Sequence, residues 1–264
     1  ESGVIRAFTA KISLSTLESP AALIFGSSEA STGEKLIKKL QSNGSTYWVG
    51  VAGGNYLYLG AYLRNISQLE PYVTFAKNEA KMPNPTVGVV ALGEKPSSNL
   101  EKSLHKLDYQ IIYALSKDSR KVISDIAEEL AVSAKTVRRR LSRMVQGNVI
   151  ELSMEWYPDK SNDIMTMIHL DLKASTDKSK ASDVLKKYFP NVMFLWQLSN
   201  LPNFILSFAW TNSMQELQHL CTRLQGEESF ERVVPHVLYT GYISETWRDK
   251  LVIEKSMTAA QKTR

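Results

Sequence analysis

Five cations, Lys135, Arg138, Arg139, Arg140 and Arg143, fall between Ser133 and Met144, and no acid interrupts them. Guanidinium and ammonium groups bunched in this way suit one kind of chemistry. They pair with phosphate oxygens, and an arginine can also read a guanine edge through two parallel hydrogen bonds. At 100° per residue, Val137, Leu141 and Met144 share one side of a helix. Lys135, Thr136, Arg139 and Arg143 fall on the other side, with Arg138 and Arg140 at the flanks. A solvated helix face usually mixes charge signs, because like charges four residues apart repel. An all-cation face is therefore locally unfavourable until an anion arrives. Lys135, Thr136 and Arg139 lie early enough to reach base edges. Arg138, Arg140 and Arg143 suit phosphates, which position a protein without specifying sequence. Ser133 is a good N-cap for the same helix.

Two helices must hold this one in place. LDYQIIYALSKD (107–118) puts Leu107, Ile111, Ile112 and Leu115 on one face, and VISDIAEELAV (122–132) turns Ile123, Ile126, Ala127 and Leu130 inward. Only Ala131, Val132 and Ser133 separate the second helix from the third. NVIELSMEWY (148–157) then has strand character, after a stop at Gly147-Asn148. Three short helices and a strand make a winged helix-turn-helix over 103–157, with 133–146 as the recognition helix for the major groove of double-stranded DNA.

The flanks repeat each other. At an offset of about 148, Leu36-Ile37-Lys38-Lys39 meets Val184-Leu185-Lys186-Lys187, Trp48 meets Trp196, Asn55-Tyr56 meets Asn203-Phe204, and Leu69 meets Leu217. The ordered set points to a duplicated module of roughly 90 residues. Each copy has the order βαββαβ, which implies a ferredoxin-like sandwich. In the first copy Gly53-Gly54-Asn55 signals a hairpin between two apolar strands. The fold class is α+β: two ferredoxin-like βαββαβ domains at 15–93 and 158–254, with the winged helix-turn-helix between them and EKPSSN within a linker at 94–102. A flexible polar tail is expected from 255 to 264. ESGVIR (1–6) lies over QGNVIE (146–151), so residues 1–14 are read as the remnant wing of a preceding helix-turn-helix. The parent chain is then expected to extend about 45 residues further, with two reading heads alternating with two sandwiches.

The chain has 264 residues, a formal net charge of +5 and 43% apolar residues. That is enough for two or three cored domains, with a local rather than global basic surface. Its single cysteine, Cys221, rules out an intramolecular disulfide and any multi-cysteine metal site. No apolar run of 18 residues occurs, so no membrane span is expected and the protein is placed in the cytoplasm.

LDYQIIYALSKDSRKVISDIAEELAVSAKTVRRRLSRMVQGNVI resembles the DNA-binding domain of the leucine-responsive/AsnC (feast/famine) transcription regulators. The resemblance rests on Leu107-Asp108, Ser133, Thr136-Val137, Arg139-Arg140, and Gly147 with Ile150. The exit is altered, with Asn148 where the family has Gly. The resemblance implies a regulatory (RAM-type) domain for each βαββαβ module. It also implies homo-oligomers or intramolecular pairing of the two modules through their sheets, and a small-molecule effector. The family's effector region carries Gly and then Asp at the hairpin between the second and third strands of that domain. Here the matching positions are Gly53, Gly54 and Asn55 in one copy, and Asn200 and Asn203 in the other. Asn supplies no charge for an ammonium group, so amino-acid binding is expected to be weak or absent.

Catalytic chemistry finds little footing. His105, His169, His219 and His236 are not spaced with a second His or Cys as metal ligands, and no phosphate loop or nucleophile elbow occurs. No cofactor, no metal and no enzymatic activity are expected. Two alternatives stand beside the regulator. One is a siroheme-decarboxylase-like enzyme of the same superfamily, although the His-Asn-Tyr stretch of those enzymes is missing at 45–48 and 193–196. The other is a winged-helix protein-interaction module, which an all-cation third helix disfavours.

Overall fold

The computed structural model describes residues 5–91, 104–156 and 161–257. The linker expected at 94–102 and most of the expected tail lie outside the described residues. Strand β1 (Ile5–Ile12) is followed by a first unit: β2 (Ala21–Ser27), α1 (Glu34–Gln41), β3 (Thr46–Ala52), β4 (Tyr56–Tyr62), α2 (Leu69–Ala80) and β5 (Thr86–Val90). Three helices come next: α3 (Lys106–Leu115), α4 (Ile123–Glu129) and α5 (Ala134–Gln146). Strand β6 (Ile150–Trp156) leads to a second unit: β7 (Ile164–Leu172), α6 (Lys178–Lys186), β8 (Val192–Gln197), β9 (Phe204–Thr211), α7 (Met214–Gln225) and β10 (Phe230–Ile243). Helix α8 (Trp247–Ser256) ends the described chain.

Each unit is a βαββαβ sandwich with an antiparallel sheet. The strand order is β5-β2-β4-β3 in the first and β10-β7-β9-β8 in the second. The two sheets are continuous, because the long strand β10 serves both. Its first half pairs with β7 from Phe230 to Val237, and its second half pairs with β3 from Leu238 to Ile243. The other edges also meet. Val90 bridges Leu198, Ala91 N–H donates to Gln197 O at 2.8 Å, and Ser199 N–H donates to Val89 O at 2.7 Å. The eight strands thus close on themselves. At this second seam Gly88 faces Leu198, whose methyl group lies 2.5 Å from where a Cβ would sit, so a larger residue there would force the Leu198 side chain to shift.

Closure explains the strand composition. On β7, Ile168, Leu170 and Leu172 pack outward on α6 and α7, while Met165 and Met167 face inward against Leu23, Phe25, Tyr58 and Leu206. A strand covered on both faces reads as a nearly continuous apolar run, as β2 (AALIFGS) and β4 (YLYLGAY) do, while β7 is broken by Thr166, His169 and Asp171. The β3–β4 connection is a 3₁₀ turn over Gly53–Asn55, with Gly54 at φ 70° and Asn55 at φ 55°. The left-handed backbone there accounts for Gly and Asn.

The helix-turn-helix does not complete its own core. Ile111, Ile126, Val137 and Met144 are joined by Ala10 and Ile12 of β1 and by Val252 of α8. Strand β1 pairs antiparallel with β6, Ala10 opposite Leu152 and Ile12 opposite Ile150, forming a two-stranded ribbon. Helix α8 was not anticipated from the sequence, which ran the second sandwich to 254. Its mean amphipathic signal is poor, but Thr246 and Asp249 form a capping box, a signature legible in the chain. The helix is held by tertiary contact: Trp247 and Val252 are buried, and Trp247 Nε1–H donates to Tyr62 O at 2.8 Å.

The barrel interior also holds an imidazole. His169 Nε2 lies 2.7 Å from Tyr58 Oη, among Phe25, Phe204 and His236. Burial, aided by the neighbouring His236 and Arg232, pulls the His169 pKa down to about 3. The fold holds the neutral form, so protonation opposes folding. The His169 contribution is complete above the unfolded value near 6.5 and is lost as pH falls towards 3. Between pH 6 and pH 4 the unfolding free energy should fall by on the order of 1 kcal/mol per pH unit from this group. Urea titrations at several pH values check this, and His169→Gln should flatten the dependence.

Candidate nucleic-acid interface

Helix α5 begins where its sequence says it should. Ser133 Oγ accepts from Thr136 N–H at 3.2 Å and lies 2.9 Å from Thr136 Oγ1, so both side chains are engaged in the cap. Val137 and Met144 are fully buried and Leu141 is half-buried. The preceding turn is tight, with Ala131 at φ 53°.

The five cations divide into two groups. Arg140 and Arg143 are three residues apart and share the flank of α5 that faces α3. Arg140 Nη1 donates to both carboxylate oxygens of Asp108 at 3.0 Å, and Arg143 Nη2 donates to Asp108 Oδ2 at 3.0 Å. Asp108 is 0% exposed and also accepts from His105 N–H at 2.9 Å, in the capping box of α3. A buried carboxylate needs this saturation, because an uncompensated charge out of water is costly. The sequence reading placed Arg143 on the outward face and offered both arginines to phosphate. The structure gives their guanidinium groups an internal partner, Asp108, and leaves both side chains partly exposed. Asp108 was noted in the sequence only as part of a motif. The signal that marks its role is a lone acid inside the apolar stripe of α3.

Lys135, Arg138 and Arg139 are the other group. All three are exposed, and among the described residues none has an ion pair or a side-chain hydrogen bond. They sit on the first half of α5, at and beside the pole opposite Val137. No acid of α5 lies beside them. The helix thus presents three unneutralised cations to solvent on a rigid base.

The hairpin residues contribute to the fold. Asn200 Oδ1 accepts from Val89 N–H at 2.7 Å and its Nδ2 donates to Val87 O at 2.8 Å, so this side chain continues the β5–β8 seam. Asn55 is exposed, and its carbonyl accepts from Ser28 N–H at 2.9 Å. The carbonyl of Asn203 accepts from Leu172 N–H at 2.9 Å. Gly53 sits under Tyr239, whose Oη lies 3.1 Å from where a Cβ would be, and Gly54 supplies the left-handed turn. Among the described residues, no helix is long and apolar enough to cross a membrane.

Comparison with known proteins agrees with this architecture. Residues 104–151 match a family described as winged helix-turn-helix DNA-binding. No curated protein matches the chain. The siroheme decarboxylase NirDL is similar in fold over 96% of this chain and 84% of its own, with a TM-score of 0.62 and 13% identity. The same enzyme in complex with an iron-uroporphyrin III analogue gives a TM-score of 0.59 at 12% identity. AsnC of E. coli matches 52% of this chain and 92% of its own at 19% identity, with a TM-score of 0.43. The expectation that the chain is not an enzyme is corrected by the NirDL match. An architecture spanning nearly the whole chain carries catalysis in that protein, so the fold is no argument against an enzyme.

Proposed function

We propose that the chain is a sequence-specific regulator of transcription that places α5 in the major groove of double-stranded DNA. The observation that carries this reading is the set of exposed, unpartnered cations Lys135, Arg138 and Arg139 on the third helix of a winged helix-turn-helix. The physical argument is one of position. The first half of a recognition helix approaches base edges, while cations at its sides meet the two phosphate backbones. Arg139 is assigned to a base edge, Lys135 to a base or an adjacent phosphate, and Arg138 to phosphate. Arg140 and Arg143 hold the helix against α3, with Asp108 as the shared anion. In this reading 103–157 is the reading head, and the units at 15–93 and 158–254 are its scaffold. Their common strand order supports a tandem duplication, in which one chain supplies the paired sheets that two subunits would otherwise make.

The two groups of residues should separate in experiment. Arg139→Ala should weaken binding to a selected operator by about 1–3 kcal/mol and relax discrimination at one base position, with thermal stability unchanged. Arg138→Ala should weaken all DNA alike and lower the salt slope by about one unit. Gel shifts across salt concentrations, on an operator selected from random duplexes, provide the measurement. Parental affinity in both variants would sink the assignment of α5. Asp108→Ala should instead cost about 2–4 kcal/mol of folding free energy, because the buried junction loses its anion and the α3 cap. Urea unfolding measures that cost.

A second reading is favoured by one observation, the extent of the NirDL match. In that reading the chain acts on siroheme. Incubation with siroheme followed by gel filtration should then leave a haem-type absorbance with the protein, with carbon dioxide released. A protein fraction free of such absorbance argues for the regulator alone.

A further inference from the structure

Between the β1–β6 ribbon and the barrel lies a cavity of about 330 Å³. Its floor is aromatic: Tyr47, Trp48 and Tyr62 come from the first unit, and Phe194, Trp196 and Phe208 from the second. Tyr47 and Tyr62 are stacked, with ring centroids 4.0 Å apart. The rim is charged, and its charges are spent unevenly. Arg248 is 4% exposed; its Nη1 donates to Ile12 O at 3.1 Å and to Glu151 Oε2 at 3.2 Å, and its guanidinium lies over Tyr62. The other oxygen of Glu151 accepts from Leu14 N–H at 3.3 Å. Asp249 accepts from Thr246 N–H at 2.7 Å through Oδ2 and from Lys11 Nζ at 3.2 Å through Oδ1. Glu155 remains. Its one partner among the described residues is Lys11, at 3.6 Å, and Lys11 sits closer to Asp249.

The rim therefore holds three carboxylates against two cations, and the least engaged group is a carboxylate. Both cations face carboxylates: Lys11 lies near Glu155 and Asp249, and Arg248 pairs with Glu151 through Nη1, while its buried Nε has no hydrogen-bond partner among the described residues. A carboxylate or polyanionic ligand would face a rim of net negative charge. An ammonium group would find Glu155, and aromatic faces nearby attract cations further. The volume falls at the small end of the range for ligand sites.

We propose that this cavity binds a small organic amine, with an apolar or aromatic body against the rings and a single ammonium group beside Glu155. The site belongs to neither hairpin, and the proposal is independent of the DNA-binding reading. Its walls give occupancy a mechanical consequence. β6 runs on from α5, and α8, which supplies Arg248 and Asp249, packs against α3. A ligand here touches the ribbon, the barrel and α8 together.

The test uses the described chain and three phenyl compounds that differ only in the charged group: phenethylamine, phenylacetate and phenylalanine. Isothermal calorimetry should show phenethylamine binding at least about tenfold more tightly than the other two, roughly 1.4 kcal/mol. It should also quench tryptophan emission, since Trp48 and Trp196 line the cavity. Glu155→Gln should reduce that preference to about twofold or less. Phe194→Ala, at a partly exposed position of the aromatic floor, should weaken all three. Equal affinity for phenethylamine and phenylacetate would overturn the proposal. So would an absence of saturation by phenethylamine at about 10 mM, or an unchanged preference in folded Glu155→Gln protein. The comparison of the three compounds on the parent chain decides the matter even if a variant fails to fold.

Discussion

Neither four-stranded sheet can bury both of its faces alone. The helices of each unit cover one face, and Ile168, Leu170 and Leu172 of β7 show how completely. The opposite face, carrying Phe25, Tyr58, Met167 and Phe208, would otherwise meet water. Burying a side chain of that size stabilises by about 1.5–3 kcal/mol, so an open sheet would forfeit a large share of the folding energy. Closing the two sheets on each other removes the penalty and also removes the exposed edges. The rest of the architecture follows from this closure. It sets the length of β10, which must serve two partners, and it seats the Leu198 side chain in the space left by Gly88.

The helix-turn-helix depends on the barrel in turn. Its core takes Ala10 and Ile12 from β1 and Val252 from α8, segments at opposite ends of the described chain. Helix α8 is tied to the first unit through Trp247, whose backbone N–H donates to Gly44 O and whose indole donates to Tyr62 O, each at 2.8 Å. Arg248 ties the same helix to β1 and to Glu151 of β6. The helix-turn-helix is thus fastened to the barrel by the ribbon on one side and α8 on the other. The aromatic cavity is the space these fastenings leave.

One buried carboxylate sorts the charges of α5. Asp108 draws Arg140 and Arg143 inward, which relieves the repulsion that five cations on one helix would suffer. The three that remain outside have no partner among the described residues. A helix that spends two cations on its own anchorage and leaves three to solvent is both rigid and receptive. Preorganisation of this kind lowers the ordering cost of meeting a charged partner.

Much of this was legible in the amino-acid chain. Local patterns determined it: the apolar stripes of α3, α4 and α5, the Ser133 cap, the Gly53–Asn55 hairpin, and the βαββαβ order of both units. Those features depend on neighbours a few residues away, so periodicity and turn chemistry reveal them. Helix α8 was half legible, through the Thr246–Asp249 box, but its apolar face is too slight to declare a partner. The division of the cations was not legible, because Arg143 lies on a flank where spacing alone does not choose between solvent and Asp108. That choice belongs to a carboxylate 35 residues earlier in the chain. The second seam, the role of Asn200 and the aromatic cavity were likewise decided only by tertiary structure. Each depends on residues far apart in sequence, brought together because a two-faced sheet must bury both of its faces.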